Sequence, residues 1–313
     1  MPRDLIKEEA TGRDCGPLSN SEVLRSGIDA DARCSHNYNA MNQTVQHPII
    51  YVDAHAHLDE YPDTWLGAVL AQLEDDHIVT ISTAMAPSAY ERALLIQARS
   101  PWVLATLGIH PWNAPYFVAS LDDVEPMLED SPMFGEIGLD FRNVRDHWWY
   151  DSQQRVFEFF LSAARETDKV VNVHTWGAEV EALELLERYD TRRAIIHWYS
   201  GPPEPLRRMI ARGYQFTFGS ELLSSEYMQS IARDVPLTQI LTETDNPGGP
   251  QLVFGEPAMP DLIKPLVQTL ALLHDISESD MCEQMRLNLL GLVGADTRLA
   301  RLTTALNGDF SSA

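Results

Sequence analysis

The 313-residue sequence has little positive charge, very little lysine, few cysteines and no long apolar run. Lys and Arg number 23 against 46 Asp and Glu, a formal charge of −23, and of the basic residues only Lys7, Lys169 and Lys264 are lysines. A field of that sign repels polyanions, so tight electrostatic capture of long nucleic acid is disfavoured at ordinary salt. Many carboxylates with few lysines suit a cytoplasm of high ionic strength, where screening lengths shrink to a few Å. Cys15, Cys34 and Cys282 are scattered without C-x-x-C spacing, which argues against a disulfide framework or a zinc knuckle and for free thiols. No stretch approaches the ~18 apolar residues of a membrane-spanning helix, and the N-terminus lacks the basic-then-apolar order of a secretory signal. These absences predict a soluble cytoplasmic protein with no membrane partner and no obligate protein partner.

A hydrophobic fraction of 44% with 22% charged residues is enough to build a sizeable core. Residues 1–47 mix polar, Gly and Ser positions without apolar periodicity and read as a flexible N-terminal leader, with the folded domain at 48–313. From Ile49 onward, short β-branched runs alternate with helical spacing. Expected strands are Ile49–Ala54, Ile78–Ala84, Val103–Gly108, Met133–Leu139, Val170–His174, Ala194–His197, Tyr214–Phe218 and Gln239–Thr244. Thr64–Asp75, Ser88–Arg99, Asp151–Thr167, Gly177–Tyr189 and Pro203–Arg212 place apolar residues at i, i+3, i+4 and i+7, and Asp261–His274, Ser277–Leu292 and Asp296–Leu306 also read as helices. Near-continuous apolar strands alternating with helices predict the α/β class, and eight such units fit a closed TIM (β/α)8 barrel.

A buried barrel strand should carry no ionisable group unless that group is paired or metal-bound. Several of the strands nevertheless end in one. His55 and His57 close the first strand at i, i+2 spacing, which turns both imidazoles to one side. His110, Glu136, His174, His197 and Asp245 follow at the ends of the third, fourth, fifth, sixth and eighth strands, on the face where barrel enzymes carry their chemistry. A single strand-end His or Glu is ordinarily a hydrogen-bonded structural residue. Six candidate donors, His55, His57, Glu136, His174, His197 and Asp245, at corresponding positions of five strands are better read together as a metal site. Nitrogen and carboxylate donors without thiolate suit Zn, Mn, Ni or Fe, with Mg possible alongside water. Six donors exceed the needs of one four-coordinate ion and predict two ions per chain. His55, His57 and Asp245 would hold the first and His174 and His197 the second, with Glu136 bridging.

The motifs D-A-H-A-H-L-D, G-I-H-P, G-E-I-G-L-D-F, N-V-H, H-W-Y-S-G and T-E-T-D-N-P stand in order along the chain. Together they make the sequence resemble the TatD-type metal-dependent hydrolases, or TatD DNases, from about Ile49 to Gly294. The resemblance implies the metallo-dependent hydrolase type of barrel, metal ligation by the same six residues and a substrate phosphate contact near His110. Gln154 and Phe157 fall on its Q-x-x-F pattern and read as packing. Two positions depart from the family. Trp198-Tyr199 follows the strand-six histidine in place of a small or sulfur residue and Phe, and Thr175-Trp176-Gly177 lacks the Arg common after the strand-five histidine. A bulkier, less cationic pocket follows.

The implied activity is phosphodiester hydrolysis, as in a 3′–5′ exonuclease-like deoxyribonuclease acting through a metal-bound hydroxide. Asp245 and Glu136 would be the catalytic residues, with Asp245 taking or orienting the proton of the attacking water. His110 and Trp198 would bind substrate, Trp198 by stacking on a base. DNA ends or short oligonucleotides are the expected substrate. The alternatives are another metallohydrolase on the same barrel, such as a D-aminoacyl-tRNA deacylase, amidohydrolase or lactonase, and a non-catalytic binding barrel. Many barrel amidohydrolases bridge their metals with a carboxylated lysine, and no lysine ends a strand here. His147, beside Trp148 and Trp149, reads as a surface packing cluster. The charge pattern predicts that activity and thermal stability rise toward molar salt, and indifference of both to added salt would refute the high-salt reading.

Overall fold

The computed structural model describes residues 49–310, so the leader expected over residues 1–47 lies outside the described residues. Eight strands occur among the described residues: β1 Tyr51–Ala56, β2 Ile78–Thr83, β3 Val103–Thr106, β4 Phe134–Gly138, β5 Val171–His174, β6 Ala194–Ile196, β7 Gln215–Phe218 and β8 Ile240–Thr242. Each overlaps one of the eight expected runs. Nearly every strand residue is buried, as strands covered on both faces require. All pairings are parallel and sequential, β1 to β2 to β3 in one stretch and β4 through β8 in the other.

Two seams join these stretches into the barrel. At the first, Leu107 bridges Phe134, and the Gly135 amide donates to the Leu107 carbonyl at 2.9 Å. At the second, the strand ladder gives way to bonds made just beyond β8. The Asp245 amide donates to the His55 carbonyl at 3.0 Å and the His57 amide to the Asn246 carbonyl at 2.7 Å. The Thr244 amide and hydroxyl both donate to the Asp53 carboxylate, at 2.8 and 2.7 Å. Barrel closure is therefore made by the backbone of residues that the sequence marks for chemistry.

Helices Asp63–Asp75, Pro87–Gln97, Tyr150–Thr167, Glu179–Arg188, Pro203–Ala211, Ile263–Leu273, Glu278–Val293 and Ala300–Leu306 match the expected segments. Apolar periodicity does not mark Leu121–Asp130, which contains Pro126 and buries only Val124, nor the short Ala114–Phe117 and Gly248–Phe254. Glu226–Asp234 is legible in hindsight, since Ser225 caps it and Met228, Ile231 and Ala232 form its buried stripe. Among the described residues no helix is long and apolar enough to cross a membrane.

Register irregularities fall between Asp53 and Ala56 on β1 and between Phe134 and Ile137 on β4. These intervals contain His55 and Glu136, and a bulge re-aims the side chain it carries. Glycine permits the close approach of the neighbouring strands. A Cβ on Gly108 would stand 2.3 Å from the Glu136 carbonyl oxygen. One on Gly138, which has φ +142°, would stand 2.0 Å from the His174 carbonyl oxygen. Gly138→Ala should therefore cost more than about 3 kcal/mol in urea unfolding. Gly67→Ala, on an exposed helical face with nothing within 4 Å of the new methyl, should add about 1 kcal/mol. Equal effects of the two substitutions would contradict this account of the β4–β5 approach.

Candidate metal centre

Four donor atoms converge at the C-terminal mouth of the barrel. His55 Nε2 lies 3.3 Å from His57 Nε2, 3.5 Å from Glu136 Oε2 and 3.6 Å from Asp245 Oδ1. His57 Nε2 lies 3.3 Å from Glu136 Oε2 and 3.2 Å from Asp245 Oδ1. Ligands held ~2.1 Å from a tetrahedral zinc stand about 3.4 Å apart, so these spacings fit one shared cation. The other Glu136 oxygen, Oε1, faces a second set. It lies 2.8 Å from His174 Nδ1, 3.3 Å from His110 Nε2 and 3.8 Å from His197 Nε2. All six expected donors are thus brought together around one carboxylate, and His110 stands within reach of it.

The far nitrogen of each imidazole has its own partner. His55 Nδ1 meets Asn172 Oδ1 at 2.9 Å, and Asn172 Nδ2 in turn donates to the Ala54 carbonyl. His57 Nδ1 donates to the Thr83 carbonyl at 2.9 Å, and His197 Nδ1 meets Glu243 Oε2 at 2.6 Å. With Nδ1 carrying the proton, each Nε2 lone pair points into the site. His110 is the opposite case. Its Nδ1 accepts the Trp112 amide at 3.1 Å, so Nε2 carries the proton and is a donor.

The buried carboxylates of the site face imidazoles: burial lowers the His55, His57 and His174 rings, but the carboxylates around them more than offset it and raise all three, His174 to about 9. His55, His57, Glu136, His174 and His197 are each less than a tenth exposed, and Asp140 is fully buried beside them. Burial pushes the Glu136 carboxyl up, but the charges of His110 and His55 and hydrogen bonds from His110 and His174 hold it well below its usual range. Burial likewise raises Asp140, and the His174 ring, the Asn143 amide and Trp112 more than offset it, leaving the carboxyl at about 2. Burial drives the His197 imidazole well below its usual value, assisted by the His55 charge, and so keeps it neutral. Burial raises Glu243 to about 8. Among the described residues no Lys or Arg side chain lines the cavity. A divalent ion is the partner that this donor set fits. The Lys169 ammonium is spent on the Leu128 and Glu129 carbonyls.

The cavity above the site holds about 430 Å³. Its lining includes His57, His110, Glu136, His174, His197 and Asp245, and also Trp112, Trp176 and Trp198. Trp198 is half-buried there, so it is both packed and available. Trp148 is 87% exposed and does not line the cavity. One expectation needs correction. Phe157 is fully buried as a packing residue, but Gln154 is exposed and bonds only Glu158. Gln153 is the buried glutamine, exchanging two bonds with the Asp140 backbone at 2.9 and 3.1 Å. The residues that sequence reasoning passed over are Asp140, Asn172, Gln153 and Glu243. Asp140, Asn172 and Glu243 lie inside the quoted motifs, which was the available signal.

Asn172→Ala removes the acceptor that fixes the His55 ring, and such outer partners are worth 10- to 100-fold in metal affinity. Titration calorimetry of the metal-free protein should show a loss of about that size. Unchanged affinity would mean that His55 is oriented by something else.

The sequence model of the family described as TatD related DNase matches residues 52–294. Deoxyribonuclease TATDN3 of Homo sapiens is 27% identical over 217 residues, covering 64% of this chain and 79% of that protein. An uncharacterized metal-dependent hydrolase of Methanocaldococcus jannaschii is 24% identical over 202 residues, covering 63% and 78%. Among solved structures, the TatD homolog YjjV of Escherichia coli superimposes with a TM-score of 0.69 at 23% identity, covering 79% of this chain and 98% of that one, a likeness of fold.

Proposed function

The chain belongs to the TatD related DNase family and is a metal-dependent hydrolase acting on ester bonds; from that premise we propose that it is a cytoplasmic phosphodiesterase that trims DNA ends or short oligonucleotides in the 3′–5′ sense. The observation that supports this most is the split of Glu136, whose two oxygens face two separate sets of donors. In this reading His55, His57, Asp245 and Glu136 would hold one ion, and His174, His197 and Glu136 a second. When bound, the two ions lower the pKa of water and neutralise charge on the phosphodiester oxygens.

The chain's own residues carry the remaining steps. Asp245 takes the proton of the attacking water; burial pushes its carboxyl up, but the hydrogen bond with His57 and the neighbouring imidazoles hold it below its usual range and so ionised. Oxygen attack on phosphorus then breaks the bond to the leaving oxygen, which leaves with a proton from solvent. His110 Nε2–H donates to a non-bridging phosphate oxygen, an orientation fixed by the Trp112 amide on Nδ1. His110 sits below its usual pKa, because burial outweighs the nearby Glu136. Asp140 holds the His174 ring from the far side at 3.3 Å.

Glu136→Ala should remove metal and activity together. Metal analysis of the purified variant should show ion content well below wild type. Turnover of bis(p-nitrophenyl) phosphate should fall at least ~10³-fold, since a bridging ligand supports several kcal/mol of charge stabilisation. A fully active variant would refute the assignment.

A further inference from the structure

We infer, resting on the phosphodiesterase reading above, that the mouth of the centre selects phosphodiesters with a single phosphate beside a planar aromatic group and discriminates against flanking phosphates. A dinucleoside monophosphate is the substrate class that fits.

Three indoles, Trp112, Trp176 and Trp198, line the cavity together with Met85 and Leu252. Two of them are anchored by their polar edges. The Trp112 indole N–H donates to Asp140 Oδ2 at 2.6 Å, and its ring packs edge-on against His110 with centroids 4.5 Å apart. The Trp198 indole N–H donates to Glu221 Oε2 at 2.9 Å, and its ring meets His197 nearly perpendicularly, at 85°. Trp198 also stands in the left-handed region at φ +41°, a conformation that a bulky residue keeps only when its surroundings impose it. Both indoles are thus placed before any substrate arrives, beside the imidazoles of the centre. Fixed aromatic faces stack on a base or aryl ring whatever its sequence.

Among the described residues the same lining contains no cationic side chain for a second phosphate. Grooves that track single-stranded nucleic acid are positively charged along the backbone path. Here the charged side chains of the lining outside the six donors and His110 reduce to one, the carboxylate of Glu60. Arg142 and Arg145 are exposed on the loop after β4 and lie outside the lining. The cavity of about 430 Å³ lies in the lower part of the ~300–1,000 Å³ range of small-molecule sites, and the net charge of −23 adds to the repulsion of any longer polyanion.

The test uses the full chain supplied with Mn²⁺ at low salt. Steady-state kcat/KM is measured for thymidylyl-thymidine and for the oligothymidylate trimer, hexamer and dodecamer, all with free 3′ ends. The dinucleoside should be the best substrate, with kcat/KM falling as phosphates are added. Trp198→Leu should lower dinucleoside kcat/KM about 10-fold, chiefly through KM. Trp176→Arg should flatten or reverse the length order by putting a cation in the mouth. Leu252→Arg, at a side chain 75% exposed, should shift the order the same way without a risk to folding. A wild-type preference for the longer strands would overturn the inference and leave the phosphodiesterase reading standing. A length order untouched by both arginine variants would overturn it as well. Failure to hydrolyse every phosphodiester, bis(p-nitrophenyl) phosphate included, would overturn both.

Discussion

The carboxylate of Glu136 is the group on which the rest of the centre depends. It is buried, ionised and placed where two sets of imidazoles meet, so its two oxygens decide how many cations the mouth can hold. A buried carboxylate is costly unless positive charge answers it. Among the described residues no lysine or arginine lines the cavity at that point, and imidazoles answer the carboxylates of Glu136 and Asp245. Nitrogen and carboxylate donors at this spacing suit a divalent ion. The bulge on β4 and the two flanking glycines are the means by which the backbone puts this carboxylate on the barrel axis side of its neighbours.

Partners one step behind the six donors do as much to define the centre. Asn172, Thr83, Glu243 and Asp140 each meet a ring that reaches inward, and Gln153 holds the Asp140 backbone. Most of them sit on or next to the same strand ends as the donors they serve. The acidity of the whole molecule and the cation-poor mouth also point in one direction. A long polyanion is repelled at a distance and, among the described residues, finds no cationic side chain in the lining of the mouth, where the indoles offer flat apolar faces.

The strand pattern and the six donors were legible because both follow from burial. An apolar run of four to six residues has to be covered, and an ionisable group at its end stands out against it. Three kinds of feature were not legible. Asn172 and Glu243 have ordinary identities at strand positions, and only the fold shows that they face imidazoles. Gln153 and Gln154 are adjacent, and the Q-x-x-F pattern falls on Gln154, which the helix turns to solvent, while Gln153 is the buried one. Trp112 and Trp176 join Trp198 only through loop geometry, which periodicity does not address. The leader expected over residues 1–47 falls outside what the structure describes.

The seam between β1 and the end of β8 has a consequence for biosynthesis. Thr244 grips Asp53 across 191 residues of sequence, and Asp245 reaches the site through the same seam. A ribosome exposes His55 and His57 early, while their carboxylate partner is still unmade. Long-range closure of this kind is slow relative to local helix formation. The histidine pair therefore waits, without Asp245 beside it, until nearly four-fifths of the chain has been made, and the donor set is complete only once this seam has closed.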